Sequence, residues 1–274
     1  MKLQLVPAST GFQWVMLALQ TFRSQPMALT SLFVIAVVAM STLSVLPLIG
    51  PVVALALLPV TTLTMMVAAA EASRGRRPTL GLLLVAFRSG PQRLQSMLTL
   101  GAMYAAGFLL ILGISSFVDG GLFATSYLGE RPITRELADT PEFRAAMWVC
   151  LALYLPLSML FWHAPGLVHW HNIAPVKAVF FSVVACVRNI RAFCVYTLAW
   201  AGVVIAASVA LTLIIGVLAL ALPSGFGSLV GGFVMTLAAV SLAAMYFCSI
   251  VFSFRDCFSP PGEDDDTQTH TSIL

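Results

Sequence analysis

Three histidines crowd into one short stretch, Trp162-His163-Ala164-Pro165-Gly166-Leu167-Val168-His169-Trp170-His171. Three imidazoles with an open fourth position can hold a catalytic zinc ion. Here Pro165-Gly166 interrupts any single helical face, and no cysteine or carboxylate stands beside them to complete a site. Trp and His are ordinary at a membrane–water interface. The expectation is an interfacial segment holding no metal. The five cysteines, Cys150, Cys186, Cys194, Cys248 and Cys257, are an odd set with no C-x-x-C spacing. They read as small buried hydrophobes rather than as disulfides or a structural zinc site.

The carboxylates add little chemistry. Glu71 stands beside Arg74, Arg76 and Arg77, where a salt bridge closing a helix end is preferred over a role in an ion path. Asp119, Glu130, Glu136, Asp139 and Glu142 alternate with Arg131, Arg135 and Arg144. Asp139 and Glu142 could hold a hard cation only weakly without a glycine-spaced ligand loop, so a solvated face is expected. No Walker A, G-x-S-x-G or H-E-x-x-H motif is present. Gly227-Ser-Leu-Val-Gly231 is a G-x-x-x-G step in an apolar run, which suits close helix contact better than phosphate cradling. The chain is expected to be no enzyme and to carry no cofactor.

Composition says what must position these residues. An ordinary soluble domain is about 25% charged, whereas this chain of 274 residues is 59% hydrophobic and 9% charged. Its 14 basic and 11 acidic side chains could not cover a water-soluble globule of that length. Soluble enzymes, disordered chains and nucleic-acid binders are excluded; a polytopic membrane protein is implied. A bilayer core needs about 20 apolar residues in helix, and six segments qualify: Met27–Leu46, Val52–Ala70, Gln95–Val118, Ala145–His163, Ala192–Leu222 and Phe226–Phe254. Helices alone satisfy their own backbone in lipid at these lengths. The fold class is therefore all-α, with six transmembrane helices. Pro59 and Pro156 fall inside spans two and four.

Orientation follows from Lys and Arg. The segments on one side hold eleven of them and those on the other hold only Arg131, Arg135 and Arg144. Both termini are thereby expected in the cytoplasm, with Asp119–Arg144 as the sizeable external loop. Met1–Pro7 lacks the charged-then-apolar layout of a cleavable signal, so the run from Met27 is expected to stay as an uncleaved anchor. Residues 1–258 are expected to form a six-helix membrane domain. Residues 259–274, with Glu263-Asp264-Asp265-Asp266, read as a disordered acidic cytoplasmic tail.

An arginine-centred step precedes each pair of spans: Phe22-Arg23-Ser24-Gln25-Pro26, Phe87-Arg88-Ser89-Gly90-Pro91 and Val187-Arg188-Asn189-Ile190-Arg191. The pattern suggests three tandem units, each an interfacial helix and a helical hairpin. The alternative is that spans commonly begin with a basic residue and a helix breaker. The third interfacial stretch is the clearest. Val176, Val179, Phe180, Val183, Val184, Val187 and Ile190 share one helical face. Ala178, Ser182, Ala185 and Asn189 form a small-residue stripe suited to close packing. Lys177, Arg188 and Arg191, with Arg23 and Arg88 before the other hairpins, are the candidate lipid-headgroup residues.

Several stretches carry a resemblance: Val6-Pro7, Gly11-Phe12-Gln13-Trp14, Leu46-Pro47-Leu48-Ile49-Gly50-Pro51, Phe161-Trp162-His163-Ala164-Pro165, and above all Trp170-His171 through Phe193. In these the chain is similar to a proteobacterial family of six-span inner-membrane proteins of unknown function found in Burkholderia-like bacteria. Its layout also distantly resembles membrane domains fused to glycerophosphodiester phosphodiesterases. The resemblance covers most of residues 5–255, implies the inner membrane, and transfers no catalytic residue. Two function classes fit. The preferred one is a non-enzymatic component associating with membrane lipids or with other inner-membrane proteins. The other is a transporter or channel for an amphiphilic or uncharged solute, for which the intramembrane Ser and Thr residues offer a thin polar lining. The residues leave the oligomeric state open.

Overall fold

The computed structural model describes residues 2–46, 49–221 and 223–259. The acidic run at 263–266 lies outside the described residues, as do Pro47 and Leu48 of the first hairpin turn. Six helical segments are long and apolar enough to span a membrane: Pro26–Ser44, Gly50–Ala72, Pro91–Asp119, Pro141–His171, Ile190–Leu218 and Gly225–Cys257. The chain is an all-α, six-span membrane protein; among the described residues, one two-residue strand pairing is the regular structure other than helix. Its residues divide into two compact units.

The first unit comprises the described residues of Met1–Val34, Met65–Leu82 and Ala185–Leu274. Strand β1 (Lys2–Leu3) pairs antiparallel with β2 (Phe258–Ser259), setting Lys2 opposite Ser259. Helix α1 (Thr10–Ser24) buries Gly11, Trp14, Val15, Ala18, Thr21 and Phe22. That i, i+3, i+4, i+7 recurrence is the signature of one buried helical face. α1 ends at Gln25, and Pro26 opens α2 (Pro26–Ser44), where its missing N–H costs nothing. The buried face of α1 packs on α12 (Ile190–Ala221) and α13 (Ser224–Cys257). Gly11 makes this possible, since a Cβ there would strike the Ala192 carbonyl oxygen and lie 2.8 Å from the Tyr196 nitrogen. Beyond Trp200, α12 buries no apolar side chain among the described residues; Val204, Ile205, Val209, Leu213 and Val217 are exposed, as are Phe226, Leu229 and Phe233 of α13. Such a surface is at home only in an apolar solvent.

The second unit comprises Ile35–Thr64 and Leu83–Val184. Span two is broken here into α3 (Gly50–Ala56) and α4 (Leu58–Ala72). Pro59 cannot donate to the carbonyl four residues back, so the helix restarts with the proline in its first turn. α3 packs on α6 (Pro91–Asp119), with Gly101 so close that a Cβ would meet the Ala56 carbonyl oxygen. α6 in turn packs along α9 (Pro141–Phe161) through an aromatic cluster. Tyr104 meets Phe161 edge-on at 5.1 Å between ring centroids, and Phe108 meets Tyr154 at 6.1 Å. Between them α7 (Leu122–Tyr127) is capped by Asp119, whose oxygens accept from the Gly121 and Phe123 nitrogens. That is the work of one acid of the loop Asp119–Arg144.

The three elements expected at the interface differ in form. α1 is a full amphipathic helix, and so is α11 (Pro175–Arg188). Before the second hairpin there is only a 3-10 segment, Leu80–Leu84, followed by the single turn α5 (Val85–Arg88). Gly90, at φ 93°, ends it before Pro91 opens α6.

Candidate functional site

α11 carries two faces. Ala178, Ser182, Ala185 and Cys186 are wholly buried, and Asn189 just beyond the helix is 3% exposed. Val176, Phe180 and Val187 are 68%, 59% and 56% exposed. The small residues therefore face protein and Val176, Phe180 and Val187 face out, while Val179 is buried and Val183 and Val184 lie half-buried between the two faces. This inverts the order of a soluble surface helix and matches one lying in a membrane interface. Ser182 fixes the buried face, its Oγ donating to the Met159 carbonyl at 2.8 Å and accepting from the His163 backbone nitrogen at 2.9 Å. Lys177 and Arg188 are exposed on the same helix. Eleven residues of helix set them about 16 Å apart.

Asn189 is the centre of a clamp in the first unit. Its Oδ1 accepts from the Val6 nitrogen at 2.9 Å. Its Nδ2 donates to the carbonyls of Gln4 and Ala185 at 3.1 Å and to Cys257 Sγ at 3.5 Å. The Gln4 nitrogen donates to the Cys257 carbonyl at 3.0 Å. Residues 2–6 are thus tied to the break between α11 and α12 and to the end of α13. Burial pushes the Cys186 thiol up from its ordinary range, with Cys257 nearby adding to the shift; this thiol is a packed hydrophobe.

The candidate headgroup residues separate accordingly. Arg188 and Arg191 flank Asn189 and are exposed; so is Arg23, nine residues of α1 beyond Trp14, or about 13 Å along that helix. Lys177 and Arg88 belong to the second unit, where exposed Leu84 and Phe87 precede Arg88. Sequence reading did not single out Asn189 as a junction or Asp256 as a bonding partner. The signal for the first was its place in the small-residue stripe; for the second there was none.

The histidines do not converge. His163 is fully buried at the junction of α9 and α10 (Ala164–His171), while His169 on α10 places Nδ1 3.4 Å from Ser89 Oγ. Among the described residues, no group of three His, Cys, Asp or Glu side chains is placed to hold a metal ion. Glu71 pairs with Arg76 at 3.6 Å, both partly exposed, as a helix-end salt bridge. Among the hydroxyls proposed as a polar lining, Thr62, Thr64, Ser115 and Ser116 donate to carbonyls of their own helices. Thr61 donates to Met40 Sδ at 3.3 Å.

A probable inner membrane protein of Burkholderia thailandensis is 34% identical to this chain over 261 residues, covering 94% of each. No protein-family model and no solved structure matches. A match over nearly the whole of that relative leaves no room in it for a fused phosphodiesterase domain, so the layout likeness to such fusions gains no support. The chain belongs to the family of multi-span membrane proteins that includes this Burkholderia protein.

Proposed function

We propose that the protein is a non-enzymatic component of the bacterial inner membrane, with both termini cytoplasmic, that binds anionic lipid through its interfacial elements. One observation carries this reading: α11 buries its small residues and exposes Val176, Phe180 and Val187 beside Lys177 and Arg188. Apolar side chains of this size at a surface are stable when they enter acyl chains, and each basic residue near an anionic leaflet adds about 1 kcal/mol. Arg23, Arg88 and Arg191 extend the same basic fringe, and the excess of Lys and Arg supports its cytoplasmic side. Native mass spectrometry from mild detergent tests the reading. Lys177→Gln with Arg188→Gln should lower co-purified anionic lipid; unchanged retention sinks it. Association with other inner-membrane proteins would use the exposed apolar halves of α12 and α13, and co-purification reads that out in the same experiment.

A second reading, carriage of an amphiphilic or uncharged solute, has one observation in its favour. A cleft of about 280 Å³ in the second unit is lined by Val37, Met40, Ser41, Ser44, Leu55 and Tyr127, among others, with no charged side chain. Solute flux in proteoliposomes, with no lipid or protein partner retained, would favour it over the first.

A further inference from the structure

In the second unit the break between α5 and α6 meets α10, and three polar side chains come together there. The Ser89 hydroxyl donates to the Val85 carbonyl at 2.6 Å and lies 3.4 Å from His169 Nδ1. With its one proton given to Val85, Ser89 can only accept from the ring, so Nδ1 carries a hydrogen and Nε2 is left for another partner. Arg93, in the first turn of α6, acts electrostatically on the same imidazole. It is half-buried, α6 packs on α10, and among the described residues Arg93 forms no ion pair. The acids of this unit are Asp119, Glu130, Glu136, Asp139 and Glu142. Asp119 closes α6, about 39 Å of helix away from Arg93, and Phe143, next to Glu142, meets Phe123 just beyond that far end. Arginine cannot shed its charge, so this half-buried guanidinium is suited to an anion from outside the chain. Exposed Phe87 and Trp170 flank Ser89 and His169 in sequence, the Trp170 ring lying edge-on to the imidazole at 5.5 Å. Large apolar side chains beside cationic ones belong at the depth where acyl chains meet headgroups.

We propose that Arg93 and His169 bind the headgroup phosphate of an anionic phospholipid at the end of span three where α6 begins, with Ser89 orienting the ring. The proposal rests on the lipid-binding reading above and gives it a phosphate site that uses neither Lys177 nor Arg188. A guanidinium meets phosphate oxygens with paired N–H donors, and the imidazole adds Nε2–H. The ring carries that second proton only in its charged form, which a bound phosphate favours and Arg93 opposes. Binding therefore takes up a proton on His169. A headgroup is favoured over a free anion because the exposed Phe87 and Trp170 offer acyl chains a place beside the phosphate.

The test uses the full chain in nanodiscs of phosphatidylcholine, with or without phosphatidylglycerol, and counts retained phosphatidylglycerol by native mass spectrometry. Arg93→Gln should weaken retention about five-fold, while Arg93→Lys, which keeps the charge and the stem, should retain part of it. Wild-type retention should be stronger at about pH 6 than at about pH 8. His169→Gln should weaken it at the lower pH and remove the difference; an unchanged pH dependence in that variant would overturn the role of the ring. If Lys177→Gln with Arg188→Gln loses lipid but Arg93→Gln and His169→Gln do not, this inference falls and the α11 reading stands. If only the Arg93 and His169 variants lose it, the site stands and the α11 reading falls; if none does, both fall. Stabilisation of the protein in neutral nanodiscs by inorganic phosphate, equal to that from phosphatidylglycerol, would overturn the lipid as occupant.

Discussion

Trp14 and Asp256, 242 positions apart in the chain, are joined by a 2.7 Å hydrogen bond from the indole Nε1 to the carboxylate Oδ2. Trp14 has no exposed surface, and its ring also packs on Phe193 and Tyr196 at 5.3 and 6.1 Å. The bond ties the first helix to the end of the last at the edge where Lys2 and Leu3 pair with Ser259 and Phe258. A buried indole needs a partner for its N–H, and a carboxylate is the strongest acceptor available.

Trp14→Phe keeps most of the apolar surface but leaves Asp256 without this donor. The variant should lose about 1–3 kcal/mol, read as a lower melting temperature in detergent. Asp256→Asn retains a carbonyl acceptor and should lose less. Equal melting temperatures for Trp14→Phe and wild type would show the bond to be dispensable.

Gly11→Ala should destabilise by about 1–3 kcal/mol, because the new methyl meets rigid backbone at Ala192 and Tyr196. Gly101→Ala should behave alike against Ala56. Gly202→Ala meets nothing within 4 Å and should be neutral or gain up to about 1 kcal/mol from helix propensity. Thermal denaturation of the three variants side by side checks the contrast.

Cys186 should resist maleimide in the folded protein and react once the chain is unfolded in detergent. Because burial raises its pKa, the folded state holds this proton more tightly than the unfolded one. The stability this contributes is full below the ordinary thiol pKa of about 8.5 and declines as pH rises above it. Cys186→Ala should flatten that alkaline decline. A decline of the same slope in the variant would assign it to other groups.

Orientation can be read with single cysteines on a cysteine-free background. Ser126 is buried, which makes it a poor reporter for its loop; Ile133 is 60% exposed and serves better. Ile133→Cys should label from outside intact spheroplasts, and Arg76→Cys only after permeabilisation. The reverse pattern would invert the topology.

The six spans and most of the two faces of α11 were legible in the sequence because both are local properties, although Val179, expected on the outward face, is buried and Val183 and Val184 are half-buried. Span length answers to bilayer thickness, and a helical face needs only the spacing of Ala178, Ser182, Ala185 and Asn189 against Val176, Phe180 and Val187. The break in span two was half legible: Pro59 announced an irregularity, while the boundary between α3 and α4 at Leu57 and the seating of α3 on α6 are seen only in the structure. The middle element expected at the interface shares Phe-Arg-Ser-x-Pro with the first, yet it forms a 3-10 segment and one helical turn.

What tertiary structure alone decided is the meeting of residues 2–6, Asn189 and the end of α13. Nothing in the spacing of Gln4, Val6, Trp14, Asn189, Asp256 and Cys257 links them. Their partnership exists because α1 packs on α12 and α13 with Gly11 against the Ala192 backbone, which leaves polar groups facing one another at a boundary where water is scarce. Backbone groups buried there must be paired, and the Asn189 amide, with both a donor and an acceptor, supplies the pairing.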